Sequence, residues 1–111
     1  MSKVALAALQ RQHLAAASES ASGRSAQAVF GGHEHVLRQT VIALAAGQTL
    51  AEHDNPGEAT VQVLHGRVRL VAGIQSWAGR KGDLLIVPLA SHRLEADENS
   101  AVLLTVAKTG R

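Results

Sequence analysis

From Val29 onward the chain breaks into short apolar runs, each closed by glycine or by a polar cluster. "HVLRQTVIALAAG" ends at Gly47, "ATVQVLHG" at Gly66 and "RVRLVAG" at Gly73. Then come "LLIVP", "HRLEA", the polar turn "DENS" and "AVLLTVAK". Strand-length runs with this punctuation predict an all-β sandwich or barrel. Alternation agrees: Val68 and Leu70 interleave with Arg67 and Arg69, and Leu94 sits between Arg93 and Glu95, the period-two pattern of a half-buried strand. Gln62, between Val61 and Val63, is expected to face away from the interior. "LLIVP" is apolar at every position, which predicts a central strand covered on both faces.

Ahead of these runs the texture is helical. Leu6, Leu9, His13 and Leu14 share the spacing of one helical face, and the intervening alanines favour a helix, expected over residues 2–17. His13 is placed at the edge of its packed face. "SESASGRSAQ", residues 18–27, reads as a linker. The chain therefore divides into an N-terminal helix and linker, 1–28, and a barrel domain, 29–111. The Ala-Leu run is interrupted at Gln10-Arg11-Gln12, short of the roughly 7–15 apolar residues of a secretory signal. The absence of acids before Glu19 has the flavour of an organellar presequence, but a helix in a cytoplasmic protein is the preferred expectation.

Composition narrows the chemistry. One Phe, one Trp and no Tyr require an aliphatic core. Net charge is only +2, and the eleven Lys and Arg residues are scattered, with no cluster longer than Arg80-Lys81. Nucleic-acid binding needs a basic patch or stripe, so it is disfavoured. With no cysteine, disulfides, thiolate metal sites and a cysteine nucleophile are excluded. No run approaches the roughly 18 apolar residues of a membrane span. There is no G-x-S-x-G, and Ser91 beside His92 is adjacency alone. Gly31-Gly32 lacks the spacing of a phosphate loop.

Two stretches carry more. In "GQTLAEHDNPGEATVQVLHG", Gly47 is followed after five residues by His53, then Asn55, with Gly66 closing the stretch. In "GDLLIVPLASHRLEA", Gly82-Asp83 precedes the apolar run, then Pro88, Ala90 and His92 follow. Together they resemble the two motifs of the cupin superfamily, fifteen residues apart (67–81) as in short cupins. The resemblance spans about residues 36 to 107. It implies an all-β cupin jelly-roll barrel with one N-terminal α-helix, commonly dimeric, with any site inside the open end. More loosely, the chain is similar to short freestanding bacterial cupins with an N-terminal helix and no assigned activity.

The resemblance also implies a metal held by two histidines and a glutamate from the first motif and a histidine from the second. Here His53 and His92 stand at matching positions, His92 one residue early. Asn55 replaces the second histidine, and Ala59 stands where the glutamate belongs. Losing the carboxylate removes a Coulomb term of a few kcal/mol and weakens hard cations most. A surviving site would be nitrogen-rich and hold a divalent transition metal (zinc, nickel, copper or iron). Two compensations are open. Glu58 could be turned inward by a bulge at Pro56-Gly57, or remain a solvated loop carboxylate. His35, with His33 on the same face, could join the site, or mark a polar strand end. Asn55 beside Pro56 is equally at home in a turn. The metal candidates are thus His53, His92, His35, Asn55 and Glu58. His65, before Gly66, reads as surface, and Trp77 as a hydrophobic plug, a dimer contact or a pocket rim.

Three function classes follow. One is a metal-dependent cupin acting on a small organic molecule. Another is a metal-free small-molecule binder or sensor with a dry pocket lined by Val61, Val63 and Leu94. The third is a structural module with a filled barrel. Catalytic residues are not assigned, and fold alone does not choose among the three. A homodimer is expected, because a small aliphatic barrel with an added amphipathic helix benefits from a partner.

Overall fold

A computed structural model describes residues 3–53 and 57–108, with residues 52 and 53 described by their backbone alone. The order is α1 (Leu6–Glu19), β1 (Arg24–Phe30), β2 (Leu37–Leu44), β3 (Thr49–His53), β4 (Glu58–His65), β5 (Arg67–Ala72), β6 (Gln75–Arg80), β7 (Leu84–Ile86), β8 (His92–Ala96) and β9 (Ser100–Ala107). The strands form two antiparallel sheets, β1-β2-β9-β4-β7 and β3-β8-β5-β6. This is the all-β jelly roll with one helix that the sequence predicts.

The core is what strand parity dictates. Ile42 and Leu44, Val61 and Val63, Val68 and Leu70, and Leu94 and Ala96 are all buried between the sheets. Gln62 is exposed between its two buried valines. The "LLIVP" expectation needs correcting. β7 is a three-residue edge strand. Leu85 and Val87 turn inward, whereas Leu84 and Ile86 are 56% and 68% exposed. An all-apolar run looks central in sequence, but here only alternate residues are covered.

The N-terminal segment also differs. The helix runs from Leu6 to Glu19, and residues 24–28 of the expected linker and its junction belong to β1, paired with β2. The first strand of the larger sheet therefore precedes the expected boundary at residue 29. Small side chains let the helix lie close to this sheet, with Ala17, Ala43 and Ala101 buried together. His13 is buried rather than peripheral. Its Nε2 donates to Gln27 Oε1 at 3.0 Å, and its Nδ1 lies 2.7 Å from Ser25 Oγ. Because an amide oxygen only accepts, that neutral tautomer leaves Nδ1 to accept the serine proton. The imidazole thus clamps helix to strand.

Two motif glycines have distinct physical duties. Gly66 turns β4 into β5 at φ +82°, and a Cβ there would collide with the Asn99 carbonyl and Ser100 Oγ. Ser100 Oγ accepts from the Arg67 amide at 3.1 Å and donates to the Glu98 carbonyl at 2.7 Å, fastening that turn to β9. Gly82 also has positive φ, +94°, but open space around its missing Cβ. The neighbouring Asp83 Oδ2 accepts from the Arg80 amide at 2.9 Å and closes that turn.

Gly82→Ala is expected to cost about 1–2 kcal/mol, the strain of a left-handed alanine. Gly66→Ala adds a backbone collision and should lose about 3 kcal/mol or more, read from urea midpoints. His13→Ala should cost about 1–2 kcal/mol and expose helical amides to hydrogen exchange before those of the barrel.

Candidate functional site

Among the described residues, β8 carries the one polar side chain that lines the barrel cavity. Parity along the strand turns His92, Leu94 and Ala96 inward and Arg93 and Glu95 outward. The one-residue shortening before His92 therefore preserves an inward histidine, since position 93 faces solvent. His92 is 7% exposed, and its Nδ1 donates to the Ala90 carbonyl at 2.9 Å. A carbonyl cannot donate, so in the neutral ring Nδ1 holds the proton and Nε2 carries the lone pair. Fixing the tautomer in this way is how proteins commonly aim an imidazole.

The cavity that His92 lines measures about 30 Å³, and the other described residues that wall it are eight aliphatic side chains, Leu50, Val61, Leu70 and Leu94 among them. That space admits about one or two water molecules. Val61 and Leu94 line it as expected, whereas Val63 is buried in the surrounding core.

The position of His53 is set by a break in register. Leu50 pairs with Leu94, but His53 pairs with His92. An uninterrupted ladder would have put Glu52 opposite His92 and His53 opposite Ser91. The extra residue in β3 thus brings the two histidine backbones into one cross-strand pair. The side chain of His53 and the whole of Asn55 lie outside the described residues.

The remaining candidates stand elsewhere. Pairing of β4 with β9 runs unbroken from Glu58↔Ala107 to Val63↔Val102. No bulge inverts its parity there, so Ala59 is buried inside while Glu58 is exposed on the outer face. The carboxylate suggested as a substitute does not reach the cavity, and a methyl group occupies the inner position where the resemblance expects glutamate. His35 is exposed in the loop before β2. Its ring meets Phe30 edge-on at 5.2 Å between centroids. The His33 and His35 carbonyls accept from the Arg38 guanidinium, both at 3.3 Å. The loop histidines thus share a guanidinium anchor away from the barrel interior. His65 is exposed, as expected, and Trp77 is 40% exposed on β6.

A divalent metal needs several converging donors. The described residues bring one, His92, to the cavity, and no cluster of three His, Asp or Glu side chains suited to a metal exists among them. This described donor set does not fit a metal. Sequence reasoning found His92 and its inward face, but not the register break or the Ala90 anchor. Neither leaves a residue-type signal.

No family model matches the chain, and no curated protein matches it. Solved structures do. A conserved protein of unknown function from Streptococcus pyogenes is 25% identical at a TM-score of 0.73, covering 83% of this chain and 80% of that one. An RmlC-like cupin protein from Desulfovibrio desulfuricans is also 25% identical, at a TM-score of 0.67, covering 77% and 82%. A mutant salicylate 1,2-dioxygenase from Pseudoaminobacter salicylatoxidans aligns at 24% identity and a TM-score of 0.69, covering 78% of this chain but 27% of that one. The neighbours thus range from an enzyme to a protein of unknown function. With both motifs in order on a two-sheet jelly roll, and cupins among its structural neighbours, the chain belongs to the cupin superfamily.

Proposed function

We propose that this chain is a metal-free binder or sensor of a small organic molecule, held at the His92 end of the barrel. The observation that carries the reading is the chemistry of the cavity: among the described residues, one imidazole of fixed tautomer in an otherwise aliphatic wall. Ala59 is buried in the surrounding aliphatic core at the position where a metal-binding relative would place a carboxylate. Such a wall favours a ligand with an apolar tail and one hydrogen-bonding head, such as a short-chain alcohol or carboxylic acid. In this reading the head meets His92, and the tail tip enters the cavity.

Magnitudes bound the affinity. The small cavity accepts about one or two methylene-sized groups, each worth about 0.8 kcal/mol. A hydrogen bond to the head adds about 1 kcal/mol. Even with further contact outside the cavity, dissociation constants in the millimolar to high micromolar range are expected. That range suits reporting the level of an abundant metabolite.

Thermal unfolding should be followed with a series of two- to six-carbon alcohols and acids in the presence of a chelator. At about ten times the dissociation constant, the best member is expected to raise the midpoint by several degrees. A rise given only by zinc, nickel, copper or iron, and reversed by chelator, would replace this reading with a metal centre. No response to any of these would leave a filled structural barrel. His92→Leu is expected to abolish the ligand response while changing stability by less than about 1.5 kcal/mol, because an aliphatic group of similar size suits the cavity.

A further inference from the structure

Along the chain the basic residues are scattered, but strand pairing gathers four arginines on the outer face of the four-stranded sheet. Val68 and Leu70 are buried on β5, so Arg67 and Arg69 point outward. Register sets Arg80 of β6 opposite Arg67, and Arg93 of β8 opposite Val71. Two of the four have carboxylate partners. Arg69 reaches Glu95 at 3.3 Å and Asp97 at 2.9 Å, and Arg93 pairs with Glu95 at 2.8 Å. Partly exposed pairs of this kind add little stability, but they engage both the Glu95 and the Asp97 carboxylates. Arg67 and Arg80 form no ion pair among the described residues.

These two arginines line one recess of about 210 Å³, together with Ala78, Gly79 and Asp97. Side chains directly opposite in an antiparallel pair start about 5 Å apart, and like charges there repel. Ala78 faces outward opposite Arg69 with only a methyl group, which keeps the recess open. Two further acids approach through the backbone alone. Asp83 Oδ2 accepts from the Arg80 amide at 2.9 Å, and the Glu98 amide donates to the Arg67 carbonyl at 3.4 Å. Neither carboxylate pairs with a guanidinium. The face thus holds two adjacent positive charges that nothing in the described fold neutralises.

We propose that the recess between Arg67 and Arg80 binds a small phosphate monoester. A guanidinium presents a planar fork of N–H donors that matches phosphate oxygens two at a time, and two forks suit one tetrahedral dianion. Its two charges balance the two arginines and remove their repulsion, which a single carboxylate would do only by half. Asp97 borders the recess with its Oδ1 already bonded to Arg69. Its other oxygen suits a hydroxyl on the organic part of the ligand. Size restricts that part to a few carbons, since the recess is smaller than the roughly 300–1,000 Å³ of pockets for drug-sized ligands. A nucleic-acid backbone needs a basic stripe, whereas here the positive pair is bordered by Asp97 and Glu95. The recess lies at the Ala96 end of β8, where Val68 pairs with Ala96, and His92 stands at the other end of that strand. The proposal is therefore independent of the small-molecule reading at His92.

The test titrates the full chain with glycerol phosphate, inorganic phosphate, acetate or chloride, following backbone amide shifts by NMR. Ionic strength is low and matched, because salt screens exposed charges. At about pH 8 the phosphate group carries close to two charges. Glycerol phosphate is expected to saturate in the low millimolar range or below, shifting residues 67, 78–80 and 97. Inorganic phosphate should bind more weakly, and acetate and chloride should not saturate. Arg67→Gln and Arg80→Gln should each weaken glycerol phosphate about tenfold or more, with unchanged circular dichroism. The corresponding lysine variants keep the charge but not the fork, and should recover only part of the loss. Arg11→Gln, on the exposed side of the helix, should change nothing. An equal response to all four anions would overturn the proposal, as would binding unaltered in the Arg67→Gln, Arg80→Gln double variant. Tighter binding of anionic lipid vesicles or of a single-stranded oligonucleotide would overturn it too, by assigning the arginines to a larger surface. His92→Leu should leave phosphate binding intact, so the two readings fail separately.

Discussion

Everything in this barrel depends on burying two aliphatic sheet faces against each other. Because the chain has one Phe, one Trp and no Tyr, and both aromatics are substantially exposed, Val, Leu, Ile and Ala must fill the interior. These side chains are small enough to pack densely across two sheets. They leave a cavity of about 30 Å³ rather than a wide cup. The same packing sets the character of the site, since a polar group placed among these walls needs a partner inside the fold. His92 has one in the Ala90 carbonyl. Among the described residues no buried side-chain nitrogen or oxygen lacks a partner.

Parity then determines which residues can take part in chemistry. Shifting a strand by one residue exchanges its inner and outer faces. The chain uses this twice near the site. The extra residue in β3 brings His53 into register with His92, while the shortened approach to β8 keeps His92 inward despite its early place in the motif. Between β4 and β9 no such adjustment occurs next to Glu58, so the carboxylate stays outside and Ala59 stays inside.

Much of this was legible in the sequence, and the failures have a common cause. Alternation at Val61-Gln62-Val63 and at His92-Arg93-Leu94 gave correct faces, and the paired motifs gave the fold. "LLIVP" misled because an apolar residue reads as buried whether or not anything covers it; half of that strand faces outward. Residues 24–28 read as linker because Ser, Ala and Gln carry little strand signal, yet Ser25 and Gln27 are the partners that bury His13. Ser100 was invisible for a similar reason: its value lies in three-dimensional proximity to the Gly66 turn. Pairwise geometry between distant segments leaves almost no trace in local composition.

The replacements in the first motif are consistent with one another. A carboxylate at position 59 would lie among Val61, Leu104 and Val106, where an unpaired charge is strongly disfavoured. A metal would relieve that cost, and without the carboxylate a metal gains less. Alanine at 59 therefore carries no such buried charge. His92 keeps a fixed tautomer among aliphatic neighbours, and hydrogen bonds gain electrostatic strength where the local dielectric is low. The described residues of the cavity thus combine one polar contact with an aliphatic shape.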